Sequence, residues 1–515
     1  MSEPLNHSTS WQAIQRQLQR YRPLMGKVAI GGALLISLLL ALMMASLVQP
    51  KTVCVVVGGG VMLAVLLTRP TLVLAVLAYG LYLVPPGSLV LGIRVPQYYQ
   101  ILMPVGLLSA LVPVVRGRKL SLGLEETLIP LALLGSMWIS TVLGGEVQSG
   151  TFFVKAFVVP VGAYWLLRLQ ADRLGGMEVL FRRMLACYAV YTAILLAEQV
   201  VGSRFIYGSG EQVTGEEMDL GGSAAYMRAA VAAILFPLVL MQAVRAPSKR
   251  EQWLWLGLAI APAAQVVFNV ERSGVIGMAL GIMVLLLYRR AHRVVVPVVV
   301  LGLLLGLYGW QTSYQALGRI RNKAPVEYRH AYWTVAWGLL QSDRWPKAFG
   351  FGFNGYQEVV SDLLGSSPDT VPDITVERTD RSTLQDVRAW FEAEGMRRAH
   401  NDLLSFPLEF GIVGSVLMGA GLVAVGLHWG RVYRAGRRGD VSAMDWSVAM
   451  AASCAAWFVN VFTHNLYILI QVSLTLAPIL ALLVMLSRRD ARQRQQTGLA
   501  AAPAAPKRGP LGTYP

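Results

Sequence analysis

Residues 225–244 read AYMRAAVAAILFPLVLMQAV, and residues 245–250 read RAPSKR. Arg228 is the sole charge in the twenty-residue run, and it stands close to the start. At about 1.5 Å per residue such a run makes a helix about 30 Å long, the thickness of a bilayer's hydrocarbon core. The basic cluster Arg245, Lys249 and Arg250 then marks the side of the membrane on which the helix ends.

The same pattern recurs along the 515 residues. Apolar runs fall near Val28–Val48, Thr52–Thr68, Thr71–Leu91, Tyr99–Val115, Thr127–Leu143, Gly150–Leu167 and Leu185–Val201. Further runs fall near Ala225–Val244, Trp253–Asn269, Gly274–Tyr288, Val294–Trp310, Leu403–Trp429, Asp445–Phe462 and Tyr467–Leu486. The expected fold is an all-α polytopic membrane protein of about fourteen spans. Composition agrees: 55% of residues are hydrophobic, 14% are charged and the mean hydropathy is +0.51, which leaves too little charge to coat a water-soluble domain.

Alternation of charge orients the spans. Arg116, Arg118 and Lys119; Arg168, Arg173, Arg182 and Arg183; Arg245, Lys249 and Arg250; Arg289, Arg290 and Arg293; and Arg431, Arg434, Arg437 and Arg438 fall in every second connection, on one side with both termini. That side is the cytoplasm, and the membrane is the bacterial inner membrane. The other side receives the acidic loop 203–222, a short turn at 271–274 and a segment of roughly 90 residues at 311–401. The chain thus divides into a cytoplasmic N-terminus (1–27), about eleven spans (28–310), a large, partly helical periplasmic loop (311–401), three more spans (402–486) and a disordered cytoplasmic tail (487–515). The first span reads as a signal anchor, since no small-x-small cleavage site follows it.

Several function classes drop out at this point. The net charge of +16 sits in short clusters between spans, a topology signal and not a nucleic-acid face. Cys54, Cys187 and Cys454 lie inside apolar runs without metal-ligand spacing, so they read as packing residues. Gly350, Gly352 and Gly355 match GxGxxG, but no buried strand precedes them and no helix of a βαβ unit follows, so a turn is expected there.

Ionisable residues inside a span are costly and point to function. Lys155, Glu198 and Arg228 each fall within about two turns of the external end of a span. Arg272 stands in the tight outer turn Glu271-Arg272-Ser273-Gly274. Three cations at one depth form an anion site; in the competing account Lys155 and Arg228 snorkel to the interface and Glu198 pairs with one of them.

The long loop carries two helical patterns. Ser382 and Gln385 fit a capping box that leads into Leu384, Val387, Trp390 and Phe391, and then toward Arg397, Arg398 and His400. Trp333, Ala336, Trp337 and Leu340 form an earlier apolar stripe preceded by Arg329, and both helices are expected to lie over the membrane surface. Orientation puts His7, His292 and His428 in the cytoplasm and leaves His330, His400 and His464 outside, with no spacing suited to a metal. His400 stands where the loop enters the next span. An imidazole there has a pKa suited to accepting a proton near neutrality, while Arg397 and Arg398 hold an anion; an interfacial capping histidine is the alternative.

The elements His400-Asn401-x-x-Leu404 with Glu409 and Gly411, Arg329-x-x-x-Trp333 leading to Gly350–Tyr356, and the Arg272-Ser273 turn resemble the O-antigen ligase and polymerase superfamily. The resemblance covers residues 272–414 and the plan of many spans with one large external loop. It implies a GT-C-like, metal-independent, inverting glycosyltransferase with no cofactor, which takes an undecaprenyl-diphosphate-linked glycan as donor. Arg272 and Arg329 would bind the diphosphate and His400 would activate the acceptor hydroxyl, with Lys155, Arg228, Arg397, Arg398 and Asn401 around the substrate. A lipid A core acceptor, as in a ligase, is favoured slightly over a growing O-antigen or exopolysaccharide chain, as in a polymerase. From another class, a flippase for a lipid-linked glycan also has many spans and intramembrane cations, but it is expected to carry inverted repeats and broken helices at mid-depth.

Overall fold

The computed structural model describes residues 70–83, 89–90, 93–94, 106, 122–144, 150–201, 223–268, 272–300, 324–343, 345–353, 355, 359, 401–463 and 470–500. The first two spans, nearly all of Tyr99–Val115, the capping-box helix and the charged residues Arg397, Arg398 and His400 lie outside the described residues.

The elements are nearly all helical: α1 (Pro70–Leu83), α2 (Leu124–Leu143), α3 (Gly150–Phe153), α4 (Val159–Gln170), α5 (Met177–Val201) and α6 (Ser223–Arg245). They continue with α7 (Lys249–Phe268), α8 (Arg272–Leu286), α9 (Ala324–Gln341), α10 (Asp402–Arg437), α11 (Val441–Thr463) and α12 (Ile470–Ala500). Two two-residue strands, β1 (Leu89–Val90) and β2 (Ile93–Arg94), pair antiparallel. Among the described residues, five helices are long and apolar enough to cross a membrane, or six if α8 and Arg289–Val300, bent by 107°, count as one broken span. The described residues are those of a predominantly helical membrane protein.

Several expected boundaries move. The third span ends at Leu83 and not Leu91, because Pro85 and Pro86 cannot continue a helix. The seventh begins at Met177, so Arg182 and Arg183 are helical, and Arg182 pairs with Glu251 on α7. The last helix runs to Ala500, so residues 487–500 of the expected disordered tail are helical. The expected span Leu403–Trp429 is not a continuous helix: α10 breaks at Gly411 and runs on to Arg437.

In lipid the hydrophobic effect does not drive helices together, so close backbone approach does. α6 is the centre of the bundle, with 83% of its apolar window buried, whereas α10 has 17%. α8 meets its neighbours through glycines on one face. A Cβ built on Gly274 would lie 3.0 Å from the Cβ of Ala229, one on Gly277 2.9 Å from the Ala456 carbonyl, and one on Gly281 3.0 Å from Cγ of Pro237.

The helix ends that carry the basic clusters converge through ion pairs, of which Arg168–Glu126 is buried on both sides. Glu126 takes a hydrogen bond from Arg168 Nε (2.6 Å), one from the Tyr164 hydroxyl (2.6 Å) and one from the Gly123 N–H (2.8 Å), and it pairs with Arg488. Glu178 binds Arg245 and accepts from Trp446 Nε1 at 2.9 Å, while Arg245 lies 4.4 Å over the Trp446 ring. Asp445 accepts from the Tyr288 hydroxyl (2.9 Å) and Arg290 (2.6 Å). These contacts join α2, α4, α5, α6, α11, α12 and the bend after α8 at one end, here the basic end. Glu126→Ala strands the buried Arg168 guanidinium, and the expected loss is about 3–5 kcal/mol, read as a lowered melting temperature in detergent.

Candidate functional site

At the opposite end of the bundle α10 begins with Asn401, whose side chain accepts the Leu403 N–H at 2.9 Å and caps the helix. After nine residues the helix stops at Gly411, at φ 65° and ψ −166°, a conformation essentially reserved for glycine. Such a break opens main-chain groups on both sides, and buried groups of this kind must be paired.

A strap at residues 345–353, directly after α9, supplies the partners. Phe351 N–H donates to the Leu408 carbonyl (2.8 Å) and Gly352 N–H to that of Glu409 (2.9 Å). In return Ile412 N–H donates to Lys347 (2.9 Å) and Val413 N–H to Ala348 (3.1 Å). The Ser140 hydroxyl, from α2, reaches the Glu409 carbonyl at 2.6 Å and also the Phe349 carbonyl. Gly350 and Gly352 hold positive φ, and a Cβ on either would strike main chain at 2.4 Å (Leu408 O) or 2.8 Å (Ser140 O). The GxGxxG match is therefore a turn, as expected, and also a brace for a broken helix.

Aromatic rings fill the space beneath. Phe353 stacks on Phe410 at 6.3 Å, and Phe157 meets both edge-on at 5.5 and 5.7 Å. Phe157 belongs to a π-helical turn, Val154–Val158, between α3 and α4. Pro160 has no N–H to give the Ala156 carbonyl, and Val159 N–H reaches back five residues to Val154. Lys155 sits on this turn, a local irregularity that apolar periodicity does not reveal.

Two of the expected cations are carried by helices that start at this end. Arg228 lies six residues into α6, and Arg272 opens α8. The Ala229–Gly274 contact puts the two helix backbones side by side, and Ser273, next to Arg272 in sequence, is buried. The chain matches no protein-family model and no curated protein sequence.

Arg329 is on α9, six residues before Val335. Val335, Ala336 and Leu339 pack on Leu404 and Leu408 of α10, with Trp345 and Phe351 beside them. The stripe expected to face lipid thus divides: Ala336 is fully buried against α10 while Trp337 is exposed. Of the expected site, Lys155, Arg228, Arg272 and Asn401 fall on elements that begin at this end, and Arg329 on α9, whose last turns reach it. His400, Arg397 and Arg398 lie outside the described residues, although His400 is joined directly to the capping Asn401.

Sequence reasoning left Asp402, Ser405 and Asn460 without a role and noted Glu409 only as part of a motif. All are buried, and Asp402, Ser405 and Glu409 recur at helical spacing on one face of the short segment before Gly411. That spacing of polar residues inside an apolar run was the available signal. Among the described residues no group of three or more His, Cys, Asp or Glu side chains is arranged to hold a metal ion. The arrangement offers one guanidinium at the start of α8, where the N-terminal dipole also favours a bound anion, and a second in the second turn of the adjacent α6.

Proposed function

We propose that the chain is a membrane-embedded glycosyltransferase of about fourteen spans and GT-C-like architecture, acting at the periplasmic face of the inner membrane. It transfers a glycan from undecaprenyl diphosphate to an acceptor hydroxyl, on lipid A core in the ligase reading or on the next repeat unit in the polymerase reading. The observation that supports it is that Arg228 and Arg272 stand one and two residues before the Ala229–Gly274 contact between their helices, at the end opposite the basic cluster.

The chemistry follows from the leaving group. As the anomeric C–O bond breaks, negative charge grows on the diphosphate, and guanidinium groups in a site of low dielectric stabilise it by bidentate hydrogen bonds. The acceptor hydroxyl is a poor nucleophile, so His400 takes its proton as it attacks the anomeric carbon from the opposite side. Arg329 and Lys155 add positive charge around the donor, and Arg397, Arg398 and Asn401 flank the base.

A carrier for the same lipid is the second reading, favoured by the break at Gly411. That break lies nine residues from the start of a 36-residue helix, near one end and not at mid-depth. Purified protein incubated with lipid-linked oligosaccharide and acceptor separates the two. Release of undecaprenyl diphosphate that falls about 100-fold in His400→Ala supports transfer; vectorial movement of intact donor without release overturns it.

A further inference from the structure

The strap joins two elements that the proposed reaction needs in register. α9, which carries Arg329, runs through a turn at residues 342–343 into Trp345–Phe353, and that segment pairs with α10 on both sides of Gly411. The piece of α10 before the break, Asp402–Phe410, is a stub of nine residues that begins at the N-cap next to His400. A stub this short is marginal as an isolated helix and takes its direction from what holds it. Two main-chain hydrogen bonds from the strap, to the Leu408 and Glu409 carbonyls, the Ser140 hydroxyl and the packing of Leu404 and Leu408 on Val335, Ala336 and Leu339 hold it, while Ile412 and Val413 tie the strap to the helix beyond the break.

We infer that the strap is a positioning device: Gly350, Gly411 and Ser140 set the angle of the stub, to whose N-cap His400 is joined in sequence, against α9, the helix that carries Arg329, without touching substrate. The inference rests on the glycosyltransferase reading. The three residues act through others, because Ser140 is fully buried with its hydroxyl on main-chain carbonyls. At each glycine a Cβ would meet backbone and not the far end of a flexible side chain: Leu408 O for Gly350, Ala348 O for Gly411. The donor cations Arg228 and Arg272 stand on α6 and α8, outside the strap, so a displaced stub leaves donor binding intact while it moves the base.

Gly350→Ala and the milder Ser140→Ala test this in the full-length protein in lipid nanodiscs. Hydrogen exchange at the Phe351, Gly352, Ile412 and Val413 amides reports the strap directly, whatever the protein's activity. The expected result in both variants is faster exchange at these four amides together and a 10- to 100-fold lower kcat with donor KM within 3-fold. The pH dependence of kcat should also change. If exchange rises in Ser140→Ala while kcat and its pH profile stay at wild-type values, the strap does not position the base and the inference fails. If the wild-type protein releases no undecaprenyl diphosphate, the enzymatic reading fails and the inference with it, while the exchange data still report whether the strap braces the stub.

Discussion

Gly411→Ala is expected to detach the strap from α10 and to lower the unfolding free energy by roughly 5–7 kcal/mol. About 1–3 of this is backbone strain at a glycine-only conformation, and roughly 1 comes from each of four main-chain hydrogen bonds. The new methyl would sit 2.4 Å from the Ala348 carbonyl oxygen and 2.6 Å from Gly350 N, and neither atom can move without breaking the pairing. Gly419, two turns further along α10, is the control: a Cβ there meets nothing within 4 Å, and alanine should be neutral or stabilise by about 0.5–1 kcal/mol. Thermal unfolding of the two variants in the same detergent measures the difference. Equal melting temperatures would mean that the glycine conformation and its strap contribute nothing to stability.

Removing both Arg228 and Arg272 carries the largest expected effect on activity. Each single alanine variant should lower the release of undecaprenyl diphosphate by about 100- to 1,000-fold, the usual range for losing one donor to developing negative charge. The double variant should fall further, but by less than the product, because the two guanidinium groups serve one leaving group. Arg272→Lys should recover little, since an ammonium cannot give the paired hydrogen bonds of a guanidinium. Turnover at saturating acceptor is the measurement, with the melting temperature as a check on folding. Variants that keep turnover within 3-fold of wild type would remove these arginines from the chemistry.

The membrane character was legible because it rests on local quantities, the length of an apolar run and the sign of its flanking charges. The Ala225–Val244 run ends at Arg245, and the structure joins Arg245 to Glu178 and Trp446 among the other basic helix ends. Arg228 and Arg272 were legible because a charge is conspicuous in an apolar run. The break at Gly411 was not, since glycines are common in membrane helices and its cause is main-chain pairing with residues some sixty positions earlier. A carbonyl paired with a distant N–H leaves no side-chain signature. Helix ends also moved where charges found partners: Arg182 read as loop, yet Glu251 holds it on a helix. His400, Arg397 and Arg398 fall outside the described residues, so the basic arm of the site rests on sequence and on the Asn401 cap.

The glycine face of α8 constrains the helix beyond holding it in place. Gly274, Gly277 and Gly281 have no rotamers to freeze when α8 docks, so this seam forms without the side-chain entropy that a leucine seam would lose. For the same reason nothing in the seam can yield to a larger residue, while Ile276, Leu280 and Met283 point outward with room to vary. Arg272 is thereby carried on a helix that tolerates drift in sequence on its outer face and almost none on its inner one.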